Sequence, residues 1–157
     1  MTLGHEKLDV YNLSIDYVAW VYEKADKLRG NHRHARDQWL RASQSIPLNI
    51  AEGNGKTTEA DRRRYFEIAR GSAMECAAIQ DVLVVGKTLN VKESQERKIE
   101  LDRIAAMLSR LGGRAYCVKE KVEAFAALEF DSDSDPDFDT DSDADSDTDE
   151  NKNQSQQ

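Results

Sequence analysis

The 157 residues carry 22 Lys and Arg against 30 Asp and Glu, a formal net charge of −8. The deficit is local: residues 131–157 hold eleven acids against one base, while residues 1–130 hold 21 bases against 19 acids and are close to neutral. A body of this length can bury a core as one domain, and no apolar run approaches the roughly 20 residues of a membrane span. Met1-Thr-Leu-Gly-His-Glu-Lys-Leu-Asp9 lacks the basic-then-apolar layout of a signal peptide, so a cytoplasmic protein without a membrane role is expected. Cys76 and Cys117 form no CxxC pair and imply no disulfide framework; packed, reduced thiols are the expectation.

The first apolar stripe, Leu8, Tyr11, Ile15, Val18, Tyr22 and Ala25, steps by three and four, which places it on one helix face. Gly30-Asn31 ends that helix. A second stretch, about 34–53, contains Trp39, Leu40, Ile46 and Ile50, with Pro47 inside it. Proline lacks a donor, so a kink is expected there, with Ser43 and Ser45 placed to satisfy the freed backbone. Gly53-Asn54-Gly55 closes the second helix, and Thr58, followed by Asp61, resembles a capping box that opens the third. Phe66, Ala69, Ala73, Cys76, the polar Gln80 and Leu83 form the third stripe, which closes at Leu89-Asn90. Ser94 is the expected cap of a fourth helix whose stripe, Leu101, Ile104, Leu108, Leu111, Ala115, Val118, Val122 and Phe125, extends to about 129 across Gly112-Gly113. Glycine there costs about 1 kcal/mol per residue relative to alanine, which points to a close approach or a bend.

Short loops make sequence neighbours antiparallel, so the predicted fold is an all-α, up-down four-helix bundle over residues 1–130. On these boundaries the second helix is about half the length of the fourth. Apolar stripe would then project beyond it, and homo-oligomerisation is expected from the mismatch. Residues 131–157, with Asp at every odd position from 131 to 149, form a separate segment whose composition predicts disorder. Asp139, Asp141, Asp143 and Glu150 are spaced like an EF-hand loop, but Ala144 stands where glycine is needed, so no defined metal site is expected. The charge of the segment suits competition with nucleic acid for basic surface.

Arg41-Ala-Ser-Gln-Ser-Ile-Pro-Leu-Asn-Ile-Ala-Glu-Gly53 and Arg64-Tyr-Phe-Glu-Ile-Ala-Arg-Gly-Ser-Ala-Met-Glu75 resemble the signature blocks of the four helix bundle protein family. That family is encoded in intervening sequences of bacterial 23S ribosomal RNA genes and is related to the accessory variability protein of diversity-generating retroelements. The resemblance spans roughly residues 8–125. It implies an antiparallel bundle and a ring-like homopentamer, without enzymatic activity. In the retroelement relative it implies contact with nucleic acid and a reverse transcriptase through a basic surface. Gly30-Asn-His-Arg-His-Ala-Arg-Asp37 departs from the Phe-Pro-x-x-Glu entry common in the family, and Tyr11 stands where tryptophan is common.

The candidate nucleic-acid contacts are two basic clusters. Arg33, Arg36 and Arg41 sit around the start of the second helix with His32 and His34; Lys56, Arg62, Arg63, Arg64 and Arg70 sit around the start of the third. Antiparallel pairing puts the clusters at opposite ends, and a ring would repeat each so that phosphate binding sums. Tyr65 and Trp39 are candidate stacking platforms. Ser45, Pro47, Asn49, Glu52 and Gly53 of the second helix, with Gly71, Ser72 and Glu75 of the third, read as a structural motif: a polar network holding the kinked helix against a small-residue face. Arg41 and Glu52, eleven residues apart, share a helix face, and Arg70 and Glu75 are candidate partners. No nucleophile–base–orienter set or phosphate loop is present, so no catalytic residues, cofactor or metal are predicted.

Overall fold

The computed structural model describes residues 2–113. Four helices follow one another, α1 (Asp9–Ala25), α2 (Arg33–Asn54), α3 (Glu59–Val85) and α4 (Val91–Leu111), with single 3-10 turns at Gly4–Lys7 and Gly30–His32. They pack as an all-α four-helix bundle, and no strand occurs among the described residues. The expected fourth-helix stripe beyond Gly113, Cys117 and the Asp-rich segment with its EF-hand-like spacing lie outside the described residues. No helix among the described residues is long and apolar enough to cross a membrane.

The third stripe packs as its spacing predicts: Phe66, Ala69, Ala73, Cys76 and Leu83 are buried, and Gln80 is buried with them. The first stripe does so only in part: Ala25 is buried, and Leu8 and Tyr11 lie half-buried against the core. Ile15 and Tyr22 are 42% and 53% exposed, and the face that enters the core is Val10, Ser14, Tyr17, Val21 and Ala25, with Trp20 beside it. Both sets step by three and four, so periodicity alone could not choose. The side with Tyr17 turns inward because its hydroxyl meets donors there, on Trp39 and Gln80.

Helix ends follow local chemistry. Thr58 Oγ1 accepts the backbone N–H of Asp61 and donates to its carboxylate, capping α3. The C-terminus of α3 closes through a left-handed Lys87 (φ +58°), with the Thr88 N–H reaching the Leu83 carbonyl. Asn90, not Ser94, caps α4: its side-chain oxygen accepts from the N–H groups of Lys92 and Glu93. Ser94 lies one turn inside and is buried, donating to Gln80 Oε1 at 3.1 Å. Gly112 and Gly113 are not within α4 but end it; Gly113 has φ +76°, the left-handed conformation in which glycine stops a helix.

Over the described residues α2 is not half the length of α4, although α3, with 27 residues, is longer than α2, and the expected fourth stripe beyond Gly113 lies outside them. Within the described residues α2 has 22 residues and α4 has 21. Pro47 is buried inside an unbroken α2. Asn49 Nδ2 donates to the Ser45 carbonyl and hydroxyl at 2.8 and 3.0 Å, and Ser43 Oγ donates to the Leu40 carbonyl at 3.0 Å, so side chains bond to the backbone on both sides of the proline.

Candidate nucleic-acid interface

The structural motif is partly as expected. Ser72 Oγ lies 2.9 Å from Ser45 Oγ and 3.0 Å from the Ile68 carbonyl, so Ser45, Asn49 and Ser72 join α2 to α3. Gly53 is the point of close approach: a Cβ there would sit 3.0 Å from Phe66 Cε1 and from Tyr65 Cβ. Gly71 is not such a point, since nothing lies within 4 Å of where its Cβ would be. Glu52 is exposed and turns to Lys56, Glu75 is exposed, and among the described residues no ion pair joins Glu75 to Arg70 or Glu52 to Arg41. A shared helix face was therefore not enough to bring Arg41 and Glu52 together.

A second buried network, built around Gln80, ties all four helices. Tyr17 of α1 accepts from Trp39 Nε1 of α2 at 3.1 Å and from Gln80 Nε2 of α3 at 2.6 Å, and Ser94 of α4 donates to the other end of Gln80. Burial pushes the Tyr17 hydroxyl well above the ordinary tyrosine range and the neighbouring Cys76 thiol up to about 12. A thiol with that pKa is protonated at neutral pH and is no nucleophile. The sequence signal for this network was a glutamine in the middle of an apolar stripe.

α1 and α4 are also clipped together at Glu93, the residue before Ser94. Glu93 accepts from Trp20 Nε1 at 2.9 Å and pairs with Lys24 at 2.6 Å, while Arg97 lies 5.2 Å over the Trp20 ring. The hydrogen bond from Lys24, then that from Trp20, holds the Glu93 carboxyl below its usual pKa. The unfolded chain then binds the proton more readily. The clip's contribution is present above the unfolded carboxyl pKa of about 4.3 and is lost as pH falls through the lowered folded value. A Glu93→Gln variant is therefore expected to melt below the parent at pH 7. The gap in Tm should close as pH is lowered below about 4; a gap independent of pH would show that the carboxylate's charge contributes nothing.

Arg33 and Arg36 stand at the start of α2 and Lys56, Arg62, Arg63 and Arg64 around the start of α3, separated by the roughly 33 Å length of α2, with Arg41 and Arg70 further along the two helices. At the end where α3 begins, most of the charges are engaged. Lys56 pairs with Glu52 at 3.1 Å and lies 4.9 Å over the Tyr65 ring, and the hydrogen bond to Glu52 raises its pKa above the usual lysine range. Arg62 Nη2 reaches the Lys56 carbonyl at 3.5 Å, and Arg63 Nε donates to the Gly112 carbonyl at 2.7 Å, capping α4. Arg70 is half-buried, with no hydrogen-bond partner for Nε among the described residues. Arg64 is exposed, on the outer face of α3. Trp39, a candidate stacking platform, is fully buried and cannot stack on a base; Tyr65 is half-buried beneath Lys56.

The opposite end is open. Arg29, Gly30, Arg33 and Arg36 line a notch of about 320 Å³ where the chain turns from α1 into α2. Gly30 takes φ +62° there, which places Arg29 and Arg33 on either side of the turn. Arg36 donates through Nε and Nη2 to Asp37 Oδ1 at 3.0 and 2.9 Å. Among the described residues, no ion pair involves Arg29 or Arg33, and both are exposed. Arg29 was not among the predicted contacts; its position immediately before the Gly30 turn is the signal that marks it. Arg41 is exposed further along α2 and does not line the notch. His32 lies against the end of α3, and no group of three His, Cys, Asp or Glu side chains is placed to hold a metal among the described residues.

The fold and surface define an all-α bundle of four helices with basic groups gathered at its two ends. Residues 6–110 match the family described as 23S rRNA-intervening sequence protein, and the chain belongs to that family. Among solved structures it is similar to a protein of unknown function from the S23 ribosomal protein family of Bacteroides thetaiotaomicron VPI-5482. The identity is 19% and the TM-score 0.60, over 65% of this chain and 96% of that one, a likeness of fold. No curated protein matches the chain.

Proposed function

We propose that the chain is a non-enzymatic accessory protein that binds nucleic acid as a homo-oligomer, through the bundle end formed by Arg29, Arg33 and Arg36. The observation that carries this reading is the open notch: Arg29 and Arg33 are exposed there without an ion pair among the described residues, whereas most of the basic groups at the other end are engaged with the protein itself. RNA is the first partner to test, because the family takes its name from 23S rRNA intervening sequences. DNA and a reverse transcriptase are the further partners that the relation to retroelement accessory proteins brings. An oligomer near five protomers would repeat the notch around its axis and sum its phosphate contacts.

Filter binding of structured RNA at two salt concentrations tests the reading. Each phosphate contact contributes about −0.7 to −0.9 to the slope of log K against log salt, so the double variant Arg29→Ser/Arg33→Ser is expected to flatten that slope by about 1.5 per subunit engaged. Binding with an unchanged slope in the variant would place the contact elsewhere.

A protein–protein scaffold is the second reading, and the outer face of α3 favours it. Ile68, Val82 and Val85 share that face and are 42%, 62% and 82% exposed. Such residues suit burial against another chain. A scaffold with no nucleic-acid role would show an oligomeric mass by light scattering and no RNA retention at low salt.

A further inference from the structure

We propose that the notch of Arg29, Gly30, Arg33 and Arg36 is a receptor for a phosphomonoester dianion, and so recognises the end of a phosphorylated strand rather than its internal diesters. The inference deepens the proposed function and rests on it only where the ligand is a nucleic-acid strand.

Charge decides the ligand class. Arg36 is committed to Asp37 through two donors on one oxygen, so its charge is already offset. Arg29 and Arg33 line the same concavity without an ion pair among the described residues. Two like charges sharing a notch repel one another, and a single ligand with two negative charges offsets both. A phosphomonoester carries about −1.5 to −2 at pH 7 and three acceptor oxygens; an internal diester carries one charge. Guanidinium forks match phosphoryl oxygens in pairs, which an ammonium group does not.

Shape agrees with charge. Only the three arginines and Gly30 line the notch. No atom lies within 4 Å of the position a Cβ would take on Gly30, so the floor stays open to a compact group. The volume of about 320 Å³ leaves space for a phosphoryl group and the atoms next to it. No aromatic or apolar side chain lines it, so nothing there would hold a base.

The chemistry is shared by a strand terminus and by a free phosphate ester, and the full-length chain separates them. Calorimetry would compare methyl phosphate with dimethyl phosphate. Fluorescence anisotropy would compare one oligonucleotide carrying a 5′-phosphate with the same strand carrying a 5′-hydroxyl. Methyl phosphate is expected to bind at least roughly tenfold more tightly than dimethyl phosphate, which is about 1.4 kcal/mol. Arg29→Ser/Arg33→Ser should abolish the difference, while Arg41→Ser should preserve it. A preference for the phosphorylated strand assigns the ligand to strand ends. Methyl phosphate binding with no strand binding supports the notch, makes free phosphate esters its ligand and ends the nucleic-acid reading. Equal binding of monoester and diester, or a preference that survives the double variant, overturns the assignment; strand binding without end preference would leave the nucleic-acid reading standing alone.

Discussion

Trp39→Ala is expected to destabilise the bundle by about 3–5 kcal/mol, measured by urea unfolding of the full chain. Trp39 is fully buried, meets Trp20 edge-to-face at 5.2 Å between ring centroids, and gives its indole N–H to Tyr17. Alanine would remove the area, the ring contact and the donor together, leaving a cavity between α1 and α2. Domains of this size are stable by only about 5–15 kcal/mol, so the variant would be partly unfolded at elevated temperature. Leu48→Ala, at a position on α2 that is 67% exposed, is the control and should stay within about 0.5 kcal/mol. A loss below about 1 kcal/mol at Trp39 would mean that the core closes over the gap.

Trp39 also marks the boundary of what sequence pattern reveals. Its apolar character was legible, and so were the four helices and the third stripe, because a continuous 3.6-residue period needs only the chain itself; the ends of α3 and α4 were not placed correctly. The buried face of α1 was not legible. Two apolar sets with equal spacing compete there, and the choice rests on donors supplied by residues 22 and 63 positions away. The cap of α4 failed for a related reason. Ser94 and Asn90 both carry capping side chains, and Ser94 was drawn inward because Gln80 needed a donor.

The basic surface shows the same division. The order of residues put the two clusters at the starts of α2 and α3, although Arg41 and Arg70 lie further along those helices. It could not tell a guanidinium that ends a helix from one that faces solvent. Arg63 is committed to the Gly112 carbonyl, an acceptor 49 residues away. Arg29, by contrast, falls within the first helix as the sequence bounds it, yet the Gly30 turn brings it into line with Arg33 and Arg36. Local signals fix elements and their ends; which polar groups remain available is decided only when distant elements meet. Among the described residues, the exposed Ile68, Val82 and Val85 are the apolar side chains of α3 that an assembly would cover.

The polar centre yields the second large effect. Tyr17→Phe removes the shared acceptor of two donors, Trp39 Nε1 and Gln80 Nε2, in a place water does not reach. Leaving one buried donor unpaired costs about 1–3 kcal/mol, so the loss expected by urea unfolding is about 2–4 kcal/mol with no cavity formed. Gln80→Leu alone has a different consequence: Tyr17 keeps its bond to Trp39, and the Ser94 hydroxyl loses its acceptor. When both substitutions are combined, the Gln80 amide is no longer present to be left unpaired by the loss of the Tyr17 hydroxyl. The cost of the double variant should therefore fall short of the sum of the singles by about 0.5–3 kcal/mol. Strict additivity would show that the bonds act independently and that the four helices are joined by apolar packing alone. The expected shortfall would show that one hydrogen-bonded chain sets which faces of α1, α3 and α4 turn inward.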